Sequence, residues 1–342
     1  MNNQVSERLL EEASELHREY PPVDLHADPL MWAESIGYDL GKLHRPYLPY
    51  SAWVGHLDLP RMSQVNIGVQ VFGLATNPFK KFGLFRLANR QIDQLDRACL
   101  LNPDRLVTAR SVGCMTLAKK DGQIAGLLAL EGVHLAENRV DNIGSLVNRG
   151  VRVLGLVHFT PNAAAYPNYG FGVDNDRGLT DFGCRLVELC NQTGVIIDLA
   201  HANQRCVIQA CACSARPVII SHTGALGVHG HPRNVGDQEL QAVASTAGAV
   251  GIIFERRFLG GADVTDVIRH MEYVINVAGE DCVAIGSDWD GMIVPVRGLE
   301  HVGRLPNLTA AMLQAGWSRQ RIGKVLALNA ERVMKNTLPK EI

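Results

Sequence analysis

The chain has no run of the ~18 apolar residues that a membrane helix needs. It also has no excess of charge of either sign. Its 33 basic and 35 acidic residues leave a formal net charge of −2. That balance offers no broad basic field for nucleic acid or an anionic membrane, so neither partner is expected. Cysteine is sparse, with eight in 342 residues and no C-x-x-C pair, which excludes a disulfide-dense scaffold. Cys211 and Cys213 form only a C-x-C in the alanine-rich stretch QACACSA and read as small core residues of a helix. The opening MNNQVSERLLEEASELHREY is charged throughout, and the closing MKNTLPKEI has no apolar tail. The expectation is therefore a cytoplasmic protein with free thiols. No G-x-G-x-x-G follows the first apolar run and no P-loop occurs, which removes the main nucleotide-binding signatures. Without a Pro/Ser-rich linker or an internal repeat, residues 1–342 read as a single domain, with 1–20 as a helix ahead of it.

What is present is a repeated unit: a short apolar run, a polar or glycine-rich turn, then a helical pattern. Eight runs stand out: 23–28, 67–73, 125–132, 151–158, 194–201, 216–222, 248–254 and 282–288. They are rich in Val, Ile and Leu, and near-continuous rather than alternating, as in strands covered on both faces. Thr180 and Gly194 bracket one helix, Val264 to Ile275 carries helical apolar spacing, and Ser318 caps a last helix to about Met334. Alternation of this kind predicts an α/β fold with a parallel sheet, and eight units close into a (β/α)8 TIM barrel. The proline-rich stretch 44–53 reads as a loop over the barrel mouth.

Barrel enzymes keep their chemistry at the C-terminal ends of the strands. Six of the eight runs end in groups that bind metal or move protons: His26 with Asp28, Glu131, His158, His201, His222 and Asp288. Runs two and seven end in Phe72 and Phe254. One histidine after an apolar run is usually structural. Four imidazoles and three carboxylates at one end of a core are costly without a compensating cation. Nitrogen and oxygen donors without sulfur suit zinc, and also manganese, cobalt or iron. The set exceeds what one tetrahedral ion takes, so two ions sharing a carboxylate is the economical arrangement. His26 and Asp28, two apart on a strand, reach the same ion.

Six motifs in order resemble the membrane (renal) dipeptidase family, peptidase family M19: VDLHAD (23–28), ALEGVH (129–134), GLTDFGCRLVELCNQTGVIIDLAH (178–201), RPVIISHTGA (216–225), HPRNV (231–235) and AIGSDWDG (284–291). The likeness covers about residues 20–336 and is to the bacterial branch. It implies an amidohydrolase-like barrel, a usual homodimer, two zinc ions and hydrolysis of dipeptides by a metal-bridging hydroxide. By the same resemblance His26 and Asp28 bind one zinc, His201 and His222 the other, and Glu131 bridges them. His158 and Arg233 contact substrate, and Asp288 lies beside the scissile bond. Segment 253–261 should line the cleft, where Glu255, Arg256 and Arg257 would alter side-chain preference. His134 is expected to support Glu131, Asp290 to bond backbone in its own turn, and His229 and His231 to form a turn. Trp32 walls the cleft or packs. Two other readings compete: another metal hydrolase of the amidohydrolase kind, acting on a lactam, lactone or amide, and a non-catalytic barrel. Many amidohydrolases bridge their metals with a carboxylated lysine, and no lysine ends any of the eight runs.

Overall fold

The computed structural model describes residues 6–44 and 53–341. Nine strands run along the chain: β1 Val23–Ala27, β2 Val69–Leu74, β3 Leu106–Thr108, β4 Ile124–Leu130, β5 Val151–Gly155, β6 Ile196–Asp198, β7 Ile219–Thr223, β8 Ala249–Ile252 and β9 Val283–Ile285. Every pairing is parallel. The sheet closes where β2 meets β4 in register from Val69↔Ala125 to Leu74↔Leu130. Eight strands thus form a closed (β/α)8 barrel, each one of the eight apolar runs. β3 is the additional one. It pairs with Ile124–Gly126 of β4, on the edge where β5 pairs with Leu128–Leu130. At three residues, LVT is too short to give a sequence pattern.

Continuous apolarity follows from burial on both faces, as in β2 and β4, where every residue is buried. Alternate side chains point inward, with Val23, Leu25, Val71, Leu127, Val153, Ile196, Ile219 and Ala284 filling the barrel interior. The residues between them, such as Phe72, Leu128, Leu154, Ile220, Ile252 and Ile285, meet the surrounding helices. Helix Asp181–Thr193 begins at Thr180, whose Oγ1 accepts from Gly183 N at 3.0 Å, and ends at Gly194 with φ +69°. Helix Val264–Ala278 carries a capping box between Asp263 and Asp266. The helix capped by Ser318 runs further than expected, through a π-turn at Lys324–Leu328 to Thr337. Asn329, just past that wide turn, donates through Nδ2 to Glu280 O and Val283 O at 2.8 Å and ties the helix to the start of β9. Cys211 is buried, but Cys213 at the end of its helix is exposed, so only the first is a core residue. No described helix is long and apolar enough to cross a membrane. Most of stretch 44–53 lies outside the described residues.

Candidate metal centre

The seven expected strand-end residues converge at one end of the barrel. His26 and His222 lie within β1 and β7. Asp28, Glu131, His158, His201 and Asp288 lie one to three residues beyond their strands. To face inward there the chain must turn sharply: His201 has φ +66° and Asp288 φ +61°. For non-glycine residues this costs on the order of 1 kcal/mol or more each, strain typical of functional sites. Two glycines keep room for the carboxylates. A Cβ on Gly73 would come within 2.0 Å of Asp28 Oδ1, and one on Gly291 within 2.2 Å of Asp288 Oδ1.

Glu131 is the centre of the group. Its Oε1 lies 3.1 Å from His201 Nε2, 3.5 Å from His26 Nε2, 3.5 Å from His158 Nε2 and 3.7 Å from His222 Nε2. His26 Nε2 is also 3.3 Å from Asp28 Oδ1 and 3.9 Å from Asp288 Oδ1. His201 Nε2 and His222 Nε2 are 2.9 Å apart. Three sets have donor atoms all within 4.8 Å of one another: His26–Glu131–His222, Glu131–His158–His201 and His26–Asp28–Asp288. His158 thus lies as close to the cluster as the expected ligands do.

Beneath these residues lie four side chains that sequence reasoning missed. Asp198 Oδ1 accepts from Ala200 N at 3.0 Å and Ser221 N at 2.9 Å, and its Oδ2 from Ser221 Oγ at 2.6 Å. Ser221 Oγ thus uses its one hydrogen to donate to Asp198. At 2.9 Å it can only accept from His222 Nδ1–H. That fixes the tautomer and leaves the Nε2 lone pair facing Glu131 and His201. Asp24 repeats the device. Its Oδ1 accepts from His26 N at 3.3 Å and Ser287 N at 2.9 Å, and its Oδ2 from Ser287 Oγ at 2.6 Å. The available signal was a polar residue inside an apolar run: VDL, IID, IIS and IGS.

The electrostatics fit a cation. Burial keeps His158, His201 and His222 well below the ordinary imidazole range, with neighbouring cationic groups adding to it, so each offers a neutral ring. Burial opposes charge on His26 too, but Asp28 and Glu131 outweigh it and raise that imidazole. Burial, then Asp28, lifts Glu131 to about 7. Burial also raises Asp288 well above the carboxylate range. His26 Nδ1 and Nε2, Asp28 Oδ1, Glu131 Oε2 and His201 Nδ1 are buried without a hydrogen-bond partner among the described residues. Orphaned donors and acceptors of this kind are costly unless something binds between them. The residues therefore fit a metal centre with nitrogen and oxygen ligands.

Above it opens a cavity of about 240 Å³. Fully buried Arg233 lines it. Its Nη2 donates to His222 O at 3.0 Å, while Nε and Nη1 have no partner among the described residues. Burial brings its pKa down to about 10, so it stays charged at neutral pH. The apolar walls include Phe258, from the 253–261 segment expected there, and Phe159, Met292 and Ile293, which were not anticipated.

Several expectations need correcting. Of the 255–257 triplet only Arg257 lines the cavity; Glu255 is fully buried beneath it. His134 shares no hydrogen bond with Glu131 among the described residues; its ring instead lies parallel to that of His158 at 6.2 Å. Asp290 does bond backbone, but across the chain, accepting from Gly55, His56 and Leu57 N at 2.8, 2.9 and 3.1 Å. Trp32 packs, donating to Asp290 O at 2.6 Å. His231 supports the turn, its Nδ1 accepting from Arg233 N at 3.1 Å.

The profile of the membrane dipeptidase family, peptidase family M19, matches residues 10–340. Dipeptidase tcpJ of Claviceps purpurea is 30% identical over 302 residues, covering 84% of this chain and 71% of that protein. Among solved structures, the metallopeptidase called dipeptidase AC is 26% identical with a TM-score of 0.82, over 93% of this chain and 98% of that one. A metallopeptidase from Rhodobacter sphaeroides, solved with a phosphinate mimic of L-Ala-D-Ala, is 24% identical with a TM-score of 0.81, over 92% and 99%. On the near-complete family match and the curated relative, the chain belongs to the membrane dipeptidase family, peptidase family M19.

Proposed function

We propose that this dipeptidase works with two zinc ions at the barrel mouth, one on His26 and Asp28, the other on His201 and His222, with Glu131 bridging. The observation that carries the reading is the place of Glu131 Oε1, 3.1–3.7 Å from imidazoles on both sides. Bound zinc would supply a nucleophilic water at neutral pH and a Lewis acid for the scissile carbonyl. The remaining work falls to the chain. Buried Arg233, whose Nε and Nη1 have no partner among the described residues, holds the free C-terminal carboxylate of a dipeptide through one edge of its guanidinium. A guanidinium sealed at the end of a small cavity reads a chain terminus, which a protein's interior peptide bonds cannot present. His158, kept neutral by burial, donates from its ring to the carbonyl oxygen as charge develops there. Asp288, which lines the cavity, takes a proton at its carboxylate and passes it to the leaving amine.

The test is direct. Purified chain reconstituted with zinc should hold two ions by elemental analysis and hydrolyse dipeptides but not their C-terminally amidated forms. Failure to retain any metal, or no turnover across a broad dipeptide panel, would reject the reading.

A further inference from the structure

The 253–261 segment carries a charged pair that the proposed chemistry leaves unused. Glu255 is fully buried, and its carboxylate accepts four hydrogen bonds, three from Arg257 and one from Val294. Oε1 accepts from Arg257 N and Arg257 Nε, both at 2.9 Å. Oε2 accepts from Val294 N at 2.7 Å and from Arg257 Nη2 at 3.4 Å. The arginine is thereby gripped along its Nε–Nη2 edge and set in one orientation. Its Nη1 and the second hydrogen of Nη2 remain for another acceptor. The side chain is 65% exposed and lines the cavity that contains Glu131 and Arg233. An arginine serving only to neutralise Glu255 would lie buried with it; this one presents its unused edge at the cavity wall. Orientation set in advance lowers the cost of binding a planar anion.

The segment is also joined to the loop that bears Arg233. Asn234 Nδ2 donates to Phe258 O at 2.7 Å, and the His231 and Phe258 rings lie 4.6 Å apart. Arg257 therefore stands on the Arg233 side of the cleft. We infer that Arg257, preset by Glu255, is a subsite for an acidic side chain on the C-terminal residue of the dipeptide, favouring Xaa-Asp and Xaa-Glu. The inference rests on the dipeptidase reading with Arg233 at the terminal carboxylate.

Aspartate and asparagine side chains have nearly the same shape and differ in charge, so their ratio isolates the subsite. Zinc-loaded full-length chain should be assayed on Ala-Asp, Ala-Asn, Ala-Glu, Ala-Gln and Ala-Ala, with the second residue in the L and the D series. The wild type should show kcat/KM roughly tenfold higher for each acid than for its amide, mostly through KM. Arg257→Met should bring that ratio to about one, and Arg257→Lys should keep part of it. A purely structural role would lower all substrates together and leave the ratio intact. A wild-type ratio near one in both series, with Ala-Ala turned over, would overturn the subsite alone. So would an unchanged ratio in Arg257→Met. No turnover of any of the five would overturn the dipeptidase reading, and the subsite with it.

Discussion

The two sides of the metal centre are built from different donors on the same support. On the β1/β9 side His26 faces two carboxylates, Asp28 at 3.3 Å and Asp288 at 3.9 Å. On the β6/β7 side His201 and His222 face each other at 2.9 Å, and no carboxylate besides Glu131 is within ion-pair distance of either among the described residues. One half is anionic and raises the proton affinity of its imidazole. The other is a pair of neutral rings held below the usual range by burial. Yet under each lies an aspartate that accepts from a neighbouring-strand serine through both N–H and O–H. The asymmetry thus lies in the residues that face the cavity, and the support is common.

Glu131 is what the halves share, so its replacement should have the largest effect. Glu131→Gln is expected to reduce dipeptide hydrolysis by about a thousandfold or more and to loosen both ions, read by turnover and by metal content after dialysis. Retention of one tightly held ion would show that the halves are independent and that the bridge is not needed.

Arg233 belongs to the imidazole half, because its Nη2 donates to the carbonyl of His222. Arg233→Met should cut kcat/KM for dipeptides by about a hundredfold, mainly through KM, in keeping with loss of a buried charge-assisted bond. An amidated dipeptide, already a poor substrate, should change little. Equal losses on both would place the substrate's terminus elsewhere, and with it the orientation across the two halves.

The barrel was legible because strands buried on both faces need unbroken apolar runs, and all eight runs became barrel strands. The converging donors were legible only jointly, because four imidazoles and three carboxylates gathered at one end of a core are costly without a cation, whereas any one of them is commonly structural. The supports were not. Asp24, Asp198, Ser221 and Ser287 are single polar residues whose partners lie on another strand, and no spacing along the chain announces that pairing. Glu255 was misplaced for a related reason: its amide partner at Val294 is 39 residues away in sequence, so the sequence showed charge but not direction. β3 was missed because three residues carry no period.

Removal of the ions should act on both halves at once and modestly. Ligand that binds only the folded chain adds about 2.7 kcal/mol per site at a hundred times its dissociation constant. For a chain of 342 residues, with an unfolding entropy of about 2.1 cal/mol/K per residue, 1 kcal/mol moves Tm by roughly 1–2 °C. Chelation should therefore lower Tm by several degrees, and zinc should restore it, as followed by calorimetry. No shift would mean that the cluster's orphaned atoms are satisfied without metal.

The finest test separates the halves through their supports. Ser221 accepts from His222 Nδ1 and so sets which nitrogen of that ring faces the cavity. Ser287 holds Asp24 and the backbone of His26 but touches no imidazole nitrogen, since its Oγ donates to Asp24 Oδ2 and lies 3.1 Å from His26 O. Ser221→Ala should then weaken one of the two ions by about tenfold, at the low end of what outer hydrogen bonds to a metal-binding histidine are worth. Ser287→Ala, which leaves every ring tautomer alone, should weaken the other ion less. Competitive titration of each variant against a chelator, with Tm measured alongside, distinguishes the cases. A loss confined to one ion in Ser221→Ala, larger than any in Ser287→Ala, would show that the shared support does different work in the two halves. Equal losses would reduce both serines to strand fasteners, and the difference between the halves would lie in the facing donors alone.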